Sequence, residues 1–286
     1  MRVRVLRSFF AILLFAVPAL AQVDADFEDK VQNLEWVAYS PTNYDPQAGE
    51  YPGEGSIRFD LETLIQHGFT GLVTYGASGP LAKIPEIARS TGFQGVIMGI
   101  WDISDNTEVQ NAVIAAEYVD GYCMGNEGLN VRYDLKELNE AILGLRGTTA
   151  KPVTTSEQIF DYTNAEVLNL GDWVFPNIHP FLSEVKIPEK AVRWIESYYM
   201  RLKKNVEQDR IIFFKEVGFP TAGAVEATDK NQTRFFLEME QTVVPFTYFE
   251  AFDQPWKRHL PVESHWGLFD SRRQPKRFMK AYGIKK

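Results

Sequence analysis

Cysteine is almost missing from this chain, because Cys123 is the only one among 286 residues. A single thiol cannot form an internal disulfide, and zinc sites built from CxxC motifs are excluded. The sequence also has no HExxH zinc motif, no GxSxG nucleophile elbow and no glycine-rich phosphate loop. The fold must therefore rest on a hydrophobic core, which this length and a 45% share of hydrophobic residues permit.

Basic residues are fewer than acidic ones, because the chain has 30 Lys and Arg but 38 Asp and Glu, which gives a formal net charge of −8. A chain of this charge is repelled by nucleic acids and by anionic lipid surfaces, so neither is expected as a partner. No Pro/Gly/Ser-rich linker and no low-complexity block divides the chain. We expect a monomer that needs no cofactor and no catalytic metal.

The first residues have the pattern of a secretory signal. Arg2, Arg4 and Arg7 precede an apolar stretch at 9–20, and Ala19-Leu20-Ala21 offers the small residues that a signal peptidase requires. The apolar stretch is too short to span a bilayer, although an uncleaved membrane anchor is the alternative. We predict a signal peptide at 1–21, a catalytic domain at 22–286, and a secreted or periplasmic protein with no membrane contact in its mature form.

Eight apolar or alternating runs rich in Val, Ile, Phe, Tyr and Trp recur along the chain, with helical patterns between most of them. The runs are 34–40, 71–75, 95–101, 121–125, 152–156, 172–178, 211–216 and 246–252, and the helical patterns are 58–67, 81–90, 107–118, 134–145, 164–169, 188–204, 228–241 and 275–282. This alternation predicts an α/β fold, a single (β/α)8 TIM barrel. The rival is a doubly wound open sheet, but such folds often carry the phosphate loop that is missing here.

Two acids follow apolar strands at positions that a barrel would bring together. Glu127 follows the fourth predicted strand, and Glu216 ends the seventh. Active sites of such barrels lie at the carboxyl ends of the strands, and retaining glycosidases place two carboxylates about 5–5.5 Å apart. Either acid alone could instead be an ion-paired residue, with Lys215 or Arg132 as partner. Asn126 is a candidate donor to a sugar 2-hydroxyl.

The chain resembles glycoside hydrolase family 17, in its bacterial form, over most of its length. The segments that carry the resemblance are LVTYG (72–76), VIMGIW (96–101), MGNE (124–127), EVGFPT (216–221), FDQPWK (252–257) and HWGLFD (265–270). Members of this family are β-1,3-glucanases and related glucanosyltransferases. The resemblance implies that Glu127 is the acid/base and Glu216 the nucleophile of a retaining, double-displacement reaction.

Two positions depart from the family pattern. Lys215 stands before the nucleophile, where the family usually has a small residue, and strand alternation predicts that Lys215 points away from the barrel centre. Phe219 stands where the family usually has Trp or Tyr, so it keeps a ring for a contact with a sugar but loses the polar group. We expect the departure at Lys215 to be tolerated, and we expect the departure at Phe219 to affect a local hydrogen bond or a contact with a sugar.

Five further residues are candidates for substrate binding, each with a structural alternative. The two tyrosines Tyr39 and Tyr75 end the first and second strands, and each either faces the sugar or packs in the core. His179 either bonds the nucleophile or a sugar or is a structural histidine. Glu250 is either an acid that orders the neighbours of the nucleophile or part of a surface ion pair, and Trp256 is either a stacking platform for sugar or a core residue.

The sequence leaves several functions open. The leading hypothesis is a hydrolase of β-1,3-glucan, and the closest alternative is a glucanosyltransferase that passes the glucosyl unit to another sugar. An enzyme for a different sugar polymer is a further alternative. A non-catalytic glucan-binding barrel is less consistent with the sequence, because a binding module has no need of two such carboxylates.

Overall fold

The computed structural model describes residues 23–283, and the predicted signal peptide at 1–21 lies outside this range. Eight parallel strands form one sheet in the order β5-β4-β3-β2-β1-β8-β7-β6. They are β1 (Trp36–Ala38), β2 (Gly71–Val73), β3 (Gly95–Ile100), β4 (Gly121–Met124), β5 (Val153–Thr154), β6 (Asn177–Ile178), β7 (Phe214–Val217) and β8 (Phe246–Tyr248). A bridge between Gln158 and Asn177 joins the two ends of this order. The predicted (β/α)8 barrel is confirmed, and the open sheet is excluded because β1 pairs with β8.

The helices of the described chain surround this sheet, and five of them begin at a residue whose side chain caps the helix. They are α1 (Ala25–Asn33), α2 (Glu54–Gln66), α3 (Ile84–Thr91), α4 (Asn106–Ile114), α5 (Leu135–Thr149), α6 (Ala165–Leu168), α7 (Pro188–Lys203), α8 (Asp229–Met239) and α9 (Arg277–Ala281). Asp134 and Glu137 form a capping box at the start of α5, and the Thr228 side chain caps α8. These side chains satisfy backbone N–H groups that have no partner within the helix.

Helix α1 was not predicted, and it closes one end of the barrel. Phe27 packs on Trp173 with ring centroids 4.9 Å apart, and it also lies under Gly121, the first residue of β4. Trp36 and Phe213, from the beginnings of β1 and β7, complete this cluster, in which Cys123 is also buried. Because apolar side chains fill the barrel at the amino ends of the strands, we expect a polar site at the carboxyl ends.

The strands are shorter than the predicted runs, because the last residues of most runs leave the sheet and form its polar rim. Residues of β1 to β7 are buried throughout, as expected for a barrel wall covered by helices on its outer face. Among residues 23–283, no helix is long and apolar enough to cross a membrane.

Candidate active site

The two predicted catalytic acids lie at the same end of the barrel. Glu216 is within β7 and is 5% exposed. Glu127 is reached through Gly125, whose φ of 74° turns the chain sharply after β4. A side chain at Gly125 would also collide with the Tyr133 hydroxyl, 2.3 Å from the position of its Cβ. Glycine is therefore needed to direct the following residues into the barrel mouth.

The carboxylates of Glu127 and Glu216 face each other across this mouth. One carboxylate oxygen of each and a ring nitrogen of His179 all lie within 4.8 Å of one another. Both acids line a cleft of about 670 Å³. The separation suits a pair of carboxylates that act on opposite sides of one glycosidic bond, with one of them close enough to form a covalent intermediate.

Neutral amides hold Glu127 in place. Asn177 donates to Glu127 Oε1 at 2.8 Å and to Asn126 Oδ1 at 3.0 Å, and Gln158 Nε2 lies 3.5 Å from Glu127 Oε2. Asn177 and Gln158 were not predicted as site residues, although both stand at strand ends in the sequence. Their role depends on pairing between β5 and β6, which the sequence does not display.

Glu216 is surrounded by cationic groups. His179 Nε2 lies 3.0 Å from Glu216 Oε2, and Lys215 Nζ lies 3.7 Å from Glu216 Oε1. Burial acts to raise the pKa of Glu216, but the His179 hydrogen bond and the charges of Lys215, His179 and Lys257 outweigh burial and lower it to about 2. Burial acts to lower the pKa of His179, but the bond to Glu216 and the nearby negative charges raise it. Glu216 is therefore ionised over a wide pH range.

Lys215 does not point away from the barrel centre, so that prediction was wrong. Its side chain is 1% exposed and its ammonium bonds to Asn126 Oδ1 inside the barrel. The pairing of β7 with β8 is irregular between Phe214 and Val217. This irregularity breaks the alternation of side chains, so Lys215 and Glu216 both reach the interior although they are consecutive.

One carboxylate oxygen of Glu127, one of Glu216 and a ring nitrogen of His179 lie as close to one another as the ligands of a metal site do. A carboxylate only accepts hydrogen bonds, so His179 Nε2 must donate its proton to Glu216 and has no lone pair for a metal. The Lys215 ammonium lies beside the same carboxylate and repels a cation. The cluster is thus suited to an ion-paired carboxylate rather than to a bound cation, and the expectation of no cofactor stays a prediction.

Comparison with known proteins assigns the family of this site. The BtgE/BtgC glycoside hydrolase domain matches residues 37–267, which include every strand except the first residue of β1. The chain belongs to this glycoside hydrolase family. The predicted resemblance to glycoside hydrolase family 17 is confirmed by this match together with the relatives, one of which is named as a family 17 glucosidase of Saccharomyces cerevisiae and is 22% identical over 82% of this chain and 64% of its own.

Alignments of this chain with its fungal relatives cover very different shares of the relatives' own length. A glucan 1,3-beta-glucosidase of Arthroderma benhamiae is 27% identical over 80% of this chain and 85% of its own. A btgC protein of Aspergillus niger, named as an inferred glucan endo-1,3-beta-glucosidase, is 29% identical over 44% of this chain. That alignment covers 22% of the Aspergillus protein, so the chain spans about a fifth of that relative.

A solved structure supports the fold of the glycosidase independently. The family 17 beta-1,3-glucanosyltransferase of Rhizomucor miehei superposes with a TM-score of 0.70 over 85% of this chain and 95% of its own, at 21% identity. An active-site mutant of the same protein in complex with laminaritriose gives a TM-score of 0.71 at 20% identity. At this identity the similarity shows a shared barrel.

Aromatic side chains form two groups on the rim of the cleft. Tyr44 packs edge-on against Trp256, with ring centroids 6.0 Å apart, and against Tyr51 at 5.6 Å, all beside β8 and β1. On the other arc of the rim, the Arg132 guanidinium stacks 4.2 Å from the Trp101 ring, beside β3 and β4. Trp256 was predicted here. Tyr44, Tyr51 and Arg132 were missed because their loops carry no regular pattern, and Trp101, the last residue of the third predicted run, was not assigned to binding. Exposed rings of this kind bind the apolar faces of sugars.

The other predicted binding residues differ in their access to the cleft. The buried Tyr75 hydroxyl has no hydrogen-bond partner among the described residues, and burial together with the negative charge of Glu216 raises its pKa. The hydroxyl lies beside Glu216, and Tyr75 lines the cleft. Tyr39 also lines the cleft, but its hydroxyl donates to Asp60 at 2.8 Å and is already used in the structure.

Phe219 does not contact the cleft, which corrects the prediction that it binds substrate. Its ring is fully buried and packs on Phe181 and Phe235, with centroids 5.0 and 5.5 Å away. The chain turns into the layer between the barrel and its helices directly after β7. A phenylalanine suits this position better than a tyrosine, because a hydroxyl there would need a buried partner.

Glu250 does not line the cleft either, although it was predicted as a binding residue with a surface ion pair as the alternative. It is 1% exposed, and Lys257 donates to both of its oxygens at 3.0 and 2.8 Å. Burial raises its pKa, while the Lys257 charge opposes that rise. Lys257 also lines the cleft, so its ion pair with the buried Glu250 holds this part of the cleft wall in place.

We expect Lys257→Met to destabilise the protein by about 1 kcal/mol at pH 8, because it leaves the Glu250 carboxylate, whose pKa is about 7 with Lys257 present, buried without a partner. The pKa of Glu250 would then rise further above its unfolded value of about 4.3. A carboxyl group whose pKa is raised in the folded state lowers stability only at pH values above its pKa in the unfolded state. The loss of stability should therefore shrink as the pH falls from 8 towards 5. Urea unfolding at several pH values measures this.

The control for this experiment is Lys83→Met, which removes an exposed ion pair with Glu86 and should leave stability unchanged at every pH. A loss in the Lys257 variant that does not depend on pH would show that the packing of the Lys257 stem, not its charge, is what matters.

Proposed function

We propose that this chain is a retaining glycosidase of β-1,3-glucan, with Glu216 as nucleophile and Glu127 as acid/base. The observation that carries the proposal is the approach of the two carboxylates to within 4.8 Å in a cleft at the carboxyl ends of the strands. Inverting enzymes need a wider gap, about 6.5–9.5 Å, to admit a water between the acids.

In the first step, an ionised Glu216 oxygen attacks the anomeric carbon and the glycosidic C–O bond breaks. Glu127 gives its proton to the departing oxygen, and a glucosyl ester with Glu216 remains. The cationic surroundings of Glu216 keep it ionised for this attack, with a pKa of about 2. Glu127 contacts the neutral amides of Asn177 and Gln158 instead.

In the second step, Glu127 removes a proton from a water or from an acceptor hydroxyl. That oxygen attacks the anomeric carbon, and the bond to Glu216 breaks with its electrons returning to the carboxylate. Attack from the opposite face in each step retains the β configuration. Asn126, Tyr75 and the aromatic rim are the groups we assign to binding the sugars.

The substrate class rests on the relatives and the composition of the cleft. Relatives are named as acting on 1,3-β-linked glucan, and the exposed rings of the rim suit the apolar faces of a polysaccharide. A secretory signal is predicted at 1–21. We therefore propose an extracellular or periplasmic enzyme.

Transglycosylation is the second candidate activity, and the two aromatic groups on separate arcs of the rim favour it. One group can hold the donor sugars while the other holds an acceptor, so that a sugar hydroxyl outcompetes water. A structural neighbour is a beta-1,3-glucanosyltransferase.

A product time course on laminaripentaose tests the proposal and separates the two activities. Hydrolysis should give only shorter oligosaccharides, while transglycosylation should give early products longer than the substrate. In either case the first products should be β-anomers by NMR. Release of α-anomers would exclude the retaining mechanism, and an absence of any product would exclude this substrate.

A further inference from the structure

The interior of the barrel holds a charged lysine directly beneath the cleft. Lys215 is 1% exposed, its ammonium bonds to Asn126 Oδ1, and it lies 4.5 Å from the centre of the Tyr75 ring. Burying an ammonium is costly unless its charge is compensated. The compensation comes from the groups assigned above to catalysis and substrate binding, because Glu216 Oε1 lies 3.7 Å away.

The contact with Asn126 decides which way the Asn126 amide faces. An ammonium only donates hydrogen bonds, so the Asn126 oxygen must face Lys215. Asn177 donates to the same oxygen at 3.0 Å. The Asn126 NH2 group is thereby directed the other way, and it makes no hydrogen bond with the described residues although Asn126 lines the cleft. It is a free donor for a sugar hydroxyl.

The contact with Glu216 acts through charge. At 3.7 Å and in a buried place, the ammonium strongly favours the ionised carboxylate, and Lys215 acts together with His179 in lowering the Glu216 pKa. His179 binds the other oxygen of the same carboxylate, so the two groups hold it from two sides.

We propose that Lys215 is a positioning residue for the reaction, which orients the Asn126 amide toward the sugar at the cleavage point and keeps Glu216 ionised. This rests on the proposed function and goes beyond it, because Lys215 contacts no substrate and acts through two other residues. A merely structural lysine would affect stability alone.

The test compares Lys215→Met with Asn126→Ala and with the double variant, using an aryl β-laminaribioside and its analogue that lacks the 2-hydroxyl on the ring being cleaved. kcat/KM is measured from pH 2.5 to pH 8, and thermal unfolding checks that each variant folds. Lys190→Met, on the exposed face of α7, is the matched control. Lys215→Gln, which has no charge, replaces the Met variant if that one fails to fold.

We expect the acid limb of the Lys215→Met profile to move up by about 1–2 pH units, because the Glu216 pKa is no longer lowered by the ammonium. At the pH optimum, Asn126→Ala should cost on the order of 10²-fold in the wild type and much less in the Lys215→Met background. The penalty for the missing 2-hydroxyl should shrink in parallel. The Lys190 variant should match the wild type.

An acid limb that does not move overturns the proposal, and so does an equal cost of Asn126→Ala in both backgrounds. Failure of the underlying function is seen separately. In that case Glu216→Gln would keep the activity of the wild type, whatever the Lys215 variants do.

Discussion

Replacement of Glu216 by alanine is expected to lower kcat on β-1,3-glucan on the order of 10⁴-fold or more, because no other group can form the glucosyl ester. Added azide should restore turnover of an activated aryl β-laminaribioside. The space left by the carboxylate lies next to the anomeric carbon, so azide attacks there in a single inverting step. The product should be the α-glycosyl azide, identified by NMR.

The matched control is Glu140→Ala on the exposed face of α5, which should leave both kcat and the product unchanged. A β-glycosyl azide from the Glu216 variant would assign Glu216 to the acid/base role. Wild-type activity in that variant would remove it from the mechanism altogether.

Replacement of Glu127 by alanine should affect substrates according to their leaving groups. Glucan needs a proton on the departing oxygen, so its hydrolysis should slow about 10²–10⁴-fold. A dinitrophenyl glycoside leaves without a proton, so its first step should remain fast while the second step stalls for lack of a base. The glucosyl-enzyme should then accumulate, visible as a burst of dinitrophenol and as a mass increase on Glu216.

Azide distinguishes this variant from the previous one. It should attack the accumulated intermediate and give the β-glycosyl azide, since the nucleophile is intact. Equal slowing of glucan and dinitrophenyl glycoside, without a burst, would contradict the assignment of Glu127 as acid/base.

The surroundings of the two acids differ in a way that fits the roles we propose for them. Cationic groups contact Glu216, namely His179 at 3.0 Å and Lys215 at 3.7 Å, and these favour an ionised carboxylate that can attack. Neutral amides from Asn177 and Gln158 contact Glu127 instead.

Local patterns were enough to predict the barrel and the two acids. The eight apolar runs predict eight strands because burial on both faces demands continuous apolar residues. Parallel strands all end on one rim, so Glu127 and Glu216 had to lie at the same end once the fold was assigned. The helical patterns at 134–145 and 228–241 likewise correspond to α5 and α8.

Contacts between distant parts of the chain could not be predicted in this way. The pairing of Asn177 with Glu127 joins residues 50 positions apart, and no local pattern encodes it. Phe219 looked like a residue of the cleft because it follows the nucleophile closely, but the chain turns outward between them. Helix α1 was missed because its two buried residues, Phe27 and Val31, form too short a stripe to predict a helix.

The sequence by itself determined the fold class and the family, and it predicted the catalytic pair, because each depends on residue types at regular spacing along single strands and helices. Only the tertiary structure decided where Lys215 points. Strict alternation places it outside the barrel, but the irregular pairing of β7 with β8 turns it inward beside Glu216. Strand register is set by the packing of whole neighbouring elements, so a charge at the centre of the site became visible only in three dimensions.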